Sequence, residues 1–273
     1  MHGPELVDAL AGVLKRPGNE KVWVLADEIY ERIIYDTPHK YVRGWRWWWW
    51  CGAGVGSWRW HVKSQTHHPP PTPPETHPET SPPPKQTTHR IRCMAAVPGL
   101  RNRTLLINGF SKAYAMTGYR LGYLAGPLPV VKGCTTLQSQ ITSCASSIAQ
   151  RAGTVALRLP DSAMAPSVAV MRKKRDQVMA ALQRIPNVSC ATPQGAFYVL
   201  PDVSAYYGKK TPGGEAIKNG HELSLHLLKQ YKVALVPGDS FGAPDTIRIS
   251  YATSEQELAT ALSRLGECLA SLS

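Results

Sequence analysis

No stretch of the chain runs eighteen or more apolar residues without interruption, so an ordinary membrane-spanning helix is excluded. No two cysteines form a C-x-x-C pair. Cys51, Cys93, Cys134, Cys144, Cys190 and Cys268 are scattered through unrelated segments, which fits free thiols in a reducing compartment better than a disulfide framework. The opening MHGPELVDALAGVLKR has no basic n-region, long apolar run or cleavage signal, and it is not rich in Arg and Ser. No targeting segment is therefore expected in this chain. Acidic residues are few: 19 Asp and Glu face 31 Lys and Arg, a net charge of +12. That imbalance suggests a nucleic-acid partner, but its distribution argues against one. Residues 40–92 alone hold eight Lys/Arg and two acids, so half of the excess lies in one stretch and the rest is spread thinly. What remains is ordinary globular composition, 43% hydrophobic and 18% charged over 273 residues, enough for one large domain or two smaller ones.

The chain has three textures. In residues 1–39 an amphipathic helix over 4–16 meets a Pro17-Gly18-Asn19 break and then Val22-Trp23-Val24-Leu25-Ala26. Five apolar residues between a turn and acids predict a buried parallel strand. Residues 40–92 contain WRWWWW, CGAGVGSW and HHPPPTPPETHPETSPPPK, with seven of the eight tryptophans, nine of the 23 prolines and five of the nine histidines. The proline-rich part predicts an extended segment with no packed core, and the whole reads as a disordered insertion or foreign tract. Its Trp and Arg could stack single-stranded nucleic acid and its histidines could hold a metal loosely, but abrupt borders and low complexity fit no organised site. Residues 94–273 read as well-patterned globular sequence. Strands are predicted over 104–108 and 119–125, helices over about 128–157 with one or two breaks and 167–184, and a strand over 195–203. A helix over 222–231, strands over 234–236 and 246–251, and a final helix opened by the capping box Ser254-Glu255-Gln256-Glu257 complete the pattern. Parallel-style alternation followed by hairpin-like strands predicts the end of an α/β domain and then a smaller α+β domain.

Three segments carry candidate chemistry. In VWVLADEIYERIIYD, Asp27 ends the predicted strand, where open α/β sheets place ligands, and Tyr30 can turn its phenol toward the same place. A capping Asp and a core Tyr are the plain alternative. In RTLLINGFSKAYAMTGYRLGYLAGP, an apolar strand runs into Asn108-Gly109 and then Ser111-Lys112. A lysine on such a turn is placed for desolvation, the condition for a nucleophilic amine and a Schiff base. Arg120, eight residues on, can bring a guanidinium to a phosphate, although a solvated surface cation is the usual fate of either residue. In DTIRISYATS, alternation puts Ile247, Ile249 and Tyr251 on one face and Arg248 with Ser250 on the other. An Arg inside so apolar a strand either faces solvent at a sheet edge or meets an anion such as a carboxylate.

DEIYERIIYD, NGFSKAYAMTGYRLGYLAGP, PQGAFYVLPDVSAYYG, VPGDSFG and IRISYATS agree in order and local spacing with one family. Together they resemble the class I pyridoxal-phosphate-dependent aminotransferases of the aspartate aminotransferase fold. The resemblance covers nearly all of the chain outside about 40–92. LQSQITSCASSIAQRAG and DVSAYYG look closest to the bacterial-type branch, which includes plastid enzymes of plants and algae acting on aspartate, glutamate and prephenate. It implies an α/β, fold type I large domain with a mainly parallel sheet over 1–160, interrupted at 40–92, and a C-terminal α+β domain over 161–273.

The same resemblance implies roles. Lys112 would form the Schiff base with pyridoxal phosphate and move the proton; Asp27 would pair with the pyridine nitrogen, and Tyr30 would hydrogen-bond the phenolic oxygen. Arg120, and more weakly Ser111, would serve the phosphate, and Arg248 the substrate α-carboxylate. No metal is implied. Substrates would be an amino acid and a 2-oxo acid, the assembly a homodimer, and the location the plastid stroma or otherwise the cytoplasm, with no nucleic acid or membrane partner. The family's N-terminal part, with a phosphate loop and a ring-stacking aromatic, is expected to precede Met1. An inactive fragment of such an enzyme, a C–S lyase on the same scaffold and a Trp/Arg nucleic-acid binder stay open as alternatives.

Overall fold

The computed structural model describes residues 4–35 and 93–273; the expectations for 40–92, including the disordered insertion and its loose nucleic-acid or metal sites, lie outside those residues. Helix α1 (Pro4–Leu14) turns Val7 and Ala11, one helical turn apart, onto Val97 and Leu100. Its open C-terminal end is met by Arg103, whose Nη2 donates to the Leu14 carbonyl at 2.6 Å, and by Asn19, whose Nδ2 donates to the Val13 carbonyl at 2.8 Å. Carbonyls at a helix end have no intrahelical donor, so these two side chains fasten α1 to the segment that leads into the sheet.

Strand β1 (Val24–Asp27) pairs in parallel with β2 (Thr104–Gly109), with Asp27 opposite Ile107. β2 pairs antiparallel with β3 (Gly122–Ala125), giving the order β1-β2-β3. The parallel pairing agrees with the sequence reading, but the burial does not. Leu25 is 66% exposed and Trp23 50%. An apolar strand is buried only when elements cover its faces, and β1 is an edge strand among the described residues. The expected strand over 119–125 begins later, because Thr117–Tyr119 forms a short 3-10 turn and Arg120 takes a left-handed conformation at φ 50.

The expected helical stretch divides into α2 (Leu128–Ile141) and α3 (Ser147–Ala156), with Ser143 at φ 63 between them. α3 lies close to the turn after β2. A methyl at Gly153 would stand 2.5 Å from the end of the Leu121 side chain and 3.1 Å from the Phe110 ring, so any side chain there would push both aside.

Helix α4 (Ala165–Leu182) opens the C-terminal unit. A small antiparallel sheet follows from β4 (Tyr198–Val199), β5 (Val236–Pro237) and β6 (Ile247–Ser250), in the order β4-β6-β5. α5 (Gly220–His226), which runs on into a π-helical turn over Leu227–Tyr231, and α6 (Glu255–Ser271) pack around it. The strand expected over 195–203 shrinks to two residues, because Ala196 is left-handed at φ 59 and Pro201 has no donor for a ladder. The capping box forms as the sequence predicts: Ser254 Oγ accepts from Glu257 N at 3.2 Å, and Ser254 N donates to the Glu257 carboxylate at 3.3 Å. Val178, Leu182, Val203, Leu223, Leu227, Ile247, Tyr251, Leu258 and Leu265 fill the core.

Ile33 and Tyr35 leave the β1 side of the chain and are buried in this same core. Ile34 bridges Gly195 in antiparallel fashion, Tyr35 N donates to the Gln194 carbonyl at 3.0 Å, and the Arg175 guanidinium lies 4.9 Å over the Tyr35 ring. A methyl at Gly195 would be 2.5 Å from the Ile33 carbonyl oxygen, so the two backbones cross where no side chain fits. This strap fixes the turn carrying Tyr30 against the strand carrying Tyr198.

Candidate active site

Asp27 ends β1, and the ladder continues one step beyond it as Glu28 N donates to the Ile107 carbonyl at 2.9 Å. The chain then turns, with Asp27 Oδ1 accepting from Ile29 N at 3.2 Å, a local Asx bond that frees the backbone to leave the sheet. That turn delivers Tyr30 to the neighbourhood of β4. Its hydroxyl donates to the Tyr198 hydroxyl at 3.2 Å, and its ring stands edge-on to Phe197, with 5.5 Å between centroids. Burial first, then the bond to Tyr198, push the Tyr30 phenol well above its ordinary value. The nearby Asp27 charge adds to the rise and the Arg248 charge opposes it. The phenol is therefore held in its protonated, donating form.

Lys112 follows β2 by three residues, on a turn whose Phe110 carbonyl accepts from Tyr114 N at 3.3 Å and Met116 N at 3.2 Å. Its Nζ lies 5.6 Å from the Phe197 ring centroid, within cation–π range. Arg248 comes from β6, the central strand of its sheet, with Ile247 and Ile249 buried on the opposite face. The strand alternates as its sequence predicts, and the edge-strand alternative is excluded by the sheet order. The guanidinium carbon is 4.7 Å from the Tyr198 ring centroid and 4.4 Å from that of Phe241, while Nε is buried without a hydrogen-bond partner.

Asp27, Tyr30, Lys112 and Arg248 thus reach one place from three separate elements, around the tilted Phe197–Tyr198 pair. Arg120 is exposed, and its Nη1 donates to the Thr117 carbonyl at 2.9 Å, within its own turn. Ser111 is half-buried beside Lys112. Phe197, Tyr198 and Phe241 were assigned no role from sequence. The only signal was their place in PQGAFYVLPDVSAYYG and VPGDSFG, where an aromatic reads equally well as core.

On the turn that follows Asp27, burial raises the Glu28 and Glu31 carboxyls above the ordinary carboxylate value. Cys93, half-buried and hydrogen-bonded to Glu28, is pushed up to about 12. Among the described residues no His, Cys, Asp and Glu group could hold a metal ion, and no helix is long and apolar enough to cross a membrane.

The model of the family "Aminotransferase class I and II" matches residues 7–265. An aspartate aminotransferase of Pinus pinaster is 38% identical over 268 residues, 97% of this chain and 44% of the relative. A bifunctional aspartate aminotransferase and glutamate/aspartate-prephenate aminotransferase of Petunia hybrida is 45% identical over 181 residues, 65% of this chain and 38% of the relative. Among solved structures, the aspartate aminotransferase of Rhizobium meliloti superposes with a TM-score of 0.73 at 35% identity, over 97% of this chain and 53% of that one. The chain thus spans about half, or less, of the length of the relatives it matches. By the extent of these matches, and with the motif residues meeting at one place in the fold, the chain belongs to the class I and II aminotransferase family.

Proposed function

We propose that the chain carries the catalytic and C-terminal part of a pyridoxal-phosphate-dependent aminotransferase. It would move an amino group between aspartate or glutamate and a 2-oxo acid such as oxaloacetate, 2-oxoglutarate or prephenate. The observation that carries this reading is the meeting of Asp27, Tyr30, Lys112 and Arg248 around Phe197 and Tyr198. The residues fit the cofactor: a carboxylate at a strand end, a phenol kept protonated, an amine, and a buried guanidinium Nε still lacking an acceptor. When bound, pyridoxal phosphate supplies a ring that draws electron density from the substrate Cα. Asp27 holds the proton of the pyridine nitrogen, and Tyr30 donates at the phenolic oxygen. Lys112 Nζ would hold the cofactor and, once displaced by the substrate amine, would take the proton from the substrate Cα and return it. Arg248 grips the α-carboxylate with two parallel N–H groups. Arg120 and Ser111 serve the phosphate, for which Arg120 gives up its bond to the Thr117 carbonyl.

The division into domains at 1–160 and 161–273, homodimeric assembly and a plastid stromal location belong to the same proposal. A second reading, a chain that binds cofactor without turnover, is favoured by the exposure of Asp27 and the 66% exposure of Leu25 on the strand that carries it. The test is to add pyridoxal phosphate to the purified chain, reduce with borohydride and map the modified lysine. Selective modification of Lys112, absent in Lys112→Ala, supports the reading; scattered surface labelling overturns it. Glutamate formation that depends on 2-oxoglutarate then separates transfer from binding alone and from C–S lysis.

A further inference from the structure

Tyr198 touches both Tyr30 and Arg248. It lies on β4 beside β6, with its Cα opposite Ser250, two residues from Arg248. Its hydroxyl accepts from Tyr30 at 3.2 Å, and its ring face lies 4.7 Å from the Arg248 guanidinium carbon. Phe241 stands 4.4 Å from the same carbon. Two aromatic faces attract a planar cation through their quadrupoles and leave its N–H edge open to a planar anion. The Nε N–H, by contrast, is buried and has no hydrogen-bond partner.

We propose that Tyr198 is a positioning residue that joins Tyr30 to Arg248, holding the phenol through its hydroxyl and the guanidinium through its ring. Its significance for catalysis rests on the roles read for Tyr30 and Arg248 above. A phenol has one proton to give. When an incoming oxygen takes the bond that Tyr30 now donates to Tyr198, Tyr198 can rotate its own hydroxyl and donate back to Tyr30. The pair stays joined with its direction reversed, and Tyr30 keeps its place relative to the guanidinium. Phenylalanine at 198 would keep the ring and lose the reversal, whereas an aliphatic residue would lose both.

Two readouts on the chain without pyridoxal phosphate test the halves separately, and so are independent of the Lys112 labelling that tests the functional reading. In a urea-unfolding cycle, Tyr30→Phe and Tyr198→Phe are each expected to lower the midpoint, and the double variant no further than the worse single one. Additive losses would overturn the hydroxyl link. The second readout is the rate of phenylglyoxal modification at Arg248, resolved by peptide mass spectrometry, with buried Arg175 as the internal control. Tyr198→Phe is expected to match the wild-type rate, and Tyr198→Leu to react about three- to tenfold faster at Arg248 with Arg175 unchanged. Tyr198→Met replaces the leucine variant if that one fails to fold. Equal Arg248 rates in the wild-type, phenylalanine and aliphatic forms would overturn the ring contact.

Discussion

Arg248 is costly where it stands. Its neighbours in the strand, Ile247 and Ile249, are 0% and 5% exposed, and its own Nε has lost water without gaining an acceptor. A buried donor left unpaired costs about 1–3 kcal/mol, and ring contacts return about 0.5–1 kcal/mol at exposed sites and about 2 when desolvated. A methionine there fits the same aromatic slot without the orphan donor and keeps a sulfur contact to the rings. Arg248→Met is therefore expected to leave the urea midpoint unchanged or raise it, by up to about 1 kcal/mol, while abolishing any transfer of the kind proposed above. A loss of more than about 1 kcal/mol would show that the guanidinium is structural rather than held ready for an anion. Half of this arrangement is legible in the sequence: alternation alone sets Arg248 apart from Ile247 and Ile249. The other half is not, because Tyr198 and Phe241 declare themselves only when the cation between them is seen.

Elements were readable where local chemistry decides them. The capping box at Ser254 and Glu257 is wholly local, and it formed. Ser254→Ala is expected to remove the Oγ acceptor at 3.2 Å and cost about 1 kcal/mol, measured as a lowered urea midpoint with unchanged slope. Elements were unreadable where a distant partner decides them. Val22–Ala26 looks buried by composition, but burial depends on what lies against the strand, and Leu25 is open among the described residues. The stretch 195–203 looks like one strand, but Ala196 turns left-handed where Ile33 and Tyr35 cross it. That crossing gives a sharper expectation. Gly195→Ala drives a methyl into the Ile33 carbonyl oxygen, and neither backbone can yield without breaking the bonds of Ala196 N to Ile33 O and Tyr35 N to Gln194 O. A loss of about 1–3 kcal/mol is expected, with loss of the Tyr30–Tyr198 coupling measured by the same double-variant cycle. A Gly195→Ala chain of wild-type stability would mean that the strap does not hold the two units together.

At the scale of the whole molecule the two halves are unequal, and two buried carboxyls on one respond to pH in the opposite sense to two solvent-near carboxyls on the other. Twenty-one buried side chains form the core of the C-terminal unit, whereas four, Val7, Ala11, Val97 and Leu100, form the cluster beneath α1. Since hydrophobic stabilisation scales with buried area, amides of β2 are expected to exchange faster than those of β6. Glu28 and Glu31 lie on the weaker side with carboxyls raised above 4.5, mainly by burial. Each charge also raises the other or a neighbour: Glu28 acts on Glu31, and both act on Tyr123, while Arg32 counters them. The folded state therefore holds protons that the unfolded chain releases, so this stability is fully present below 4.5 and is lost as pH rises through the folded values. Asp202 and Glu257 behave the other way. Bonds from Ser204 to Asp202, and from Thr253 and Ser254 to Glu257, hold both carboxyls below their ordinary values, so their contribution is present at neutral pH and lost on acidification. Both are close to solvent, which keeps that second effect small. Moving from about pH 5 to about pH 8 is thus expected to speed exchange at Leu105–Ile107 relative to Ile247–Ile249, beyond the intrinsic base catalysis common to both. Glu28→Gln and Glu31→Gln together should flatten that difference, because the amides cannot release the proton. An exchange ratio that stays constant across the pH range in the wild-type chain, or persists unchanged in the double variant, would remove the two glutamates as its cause.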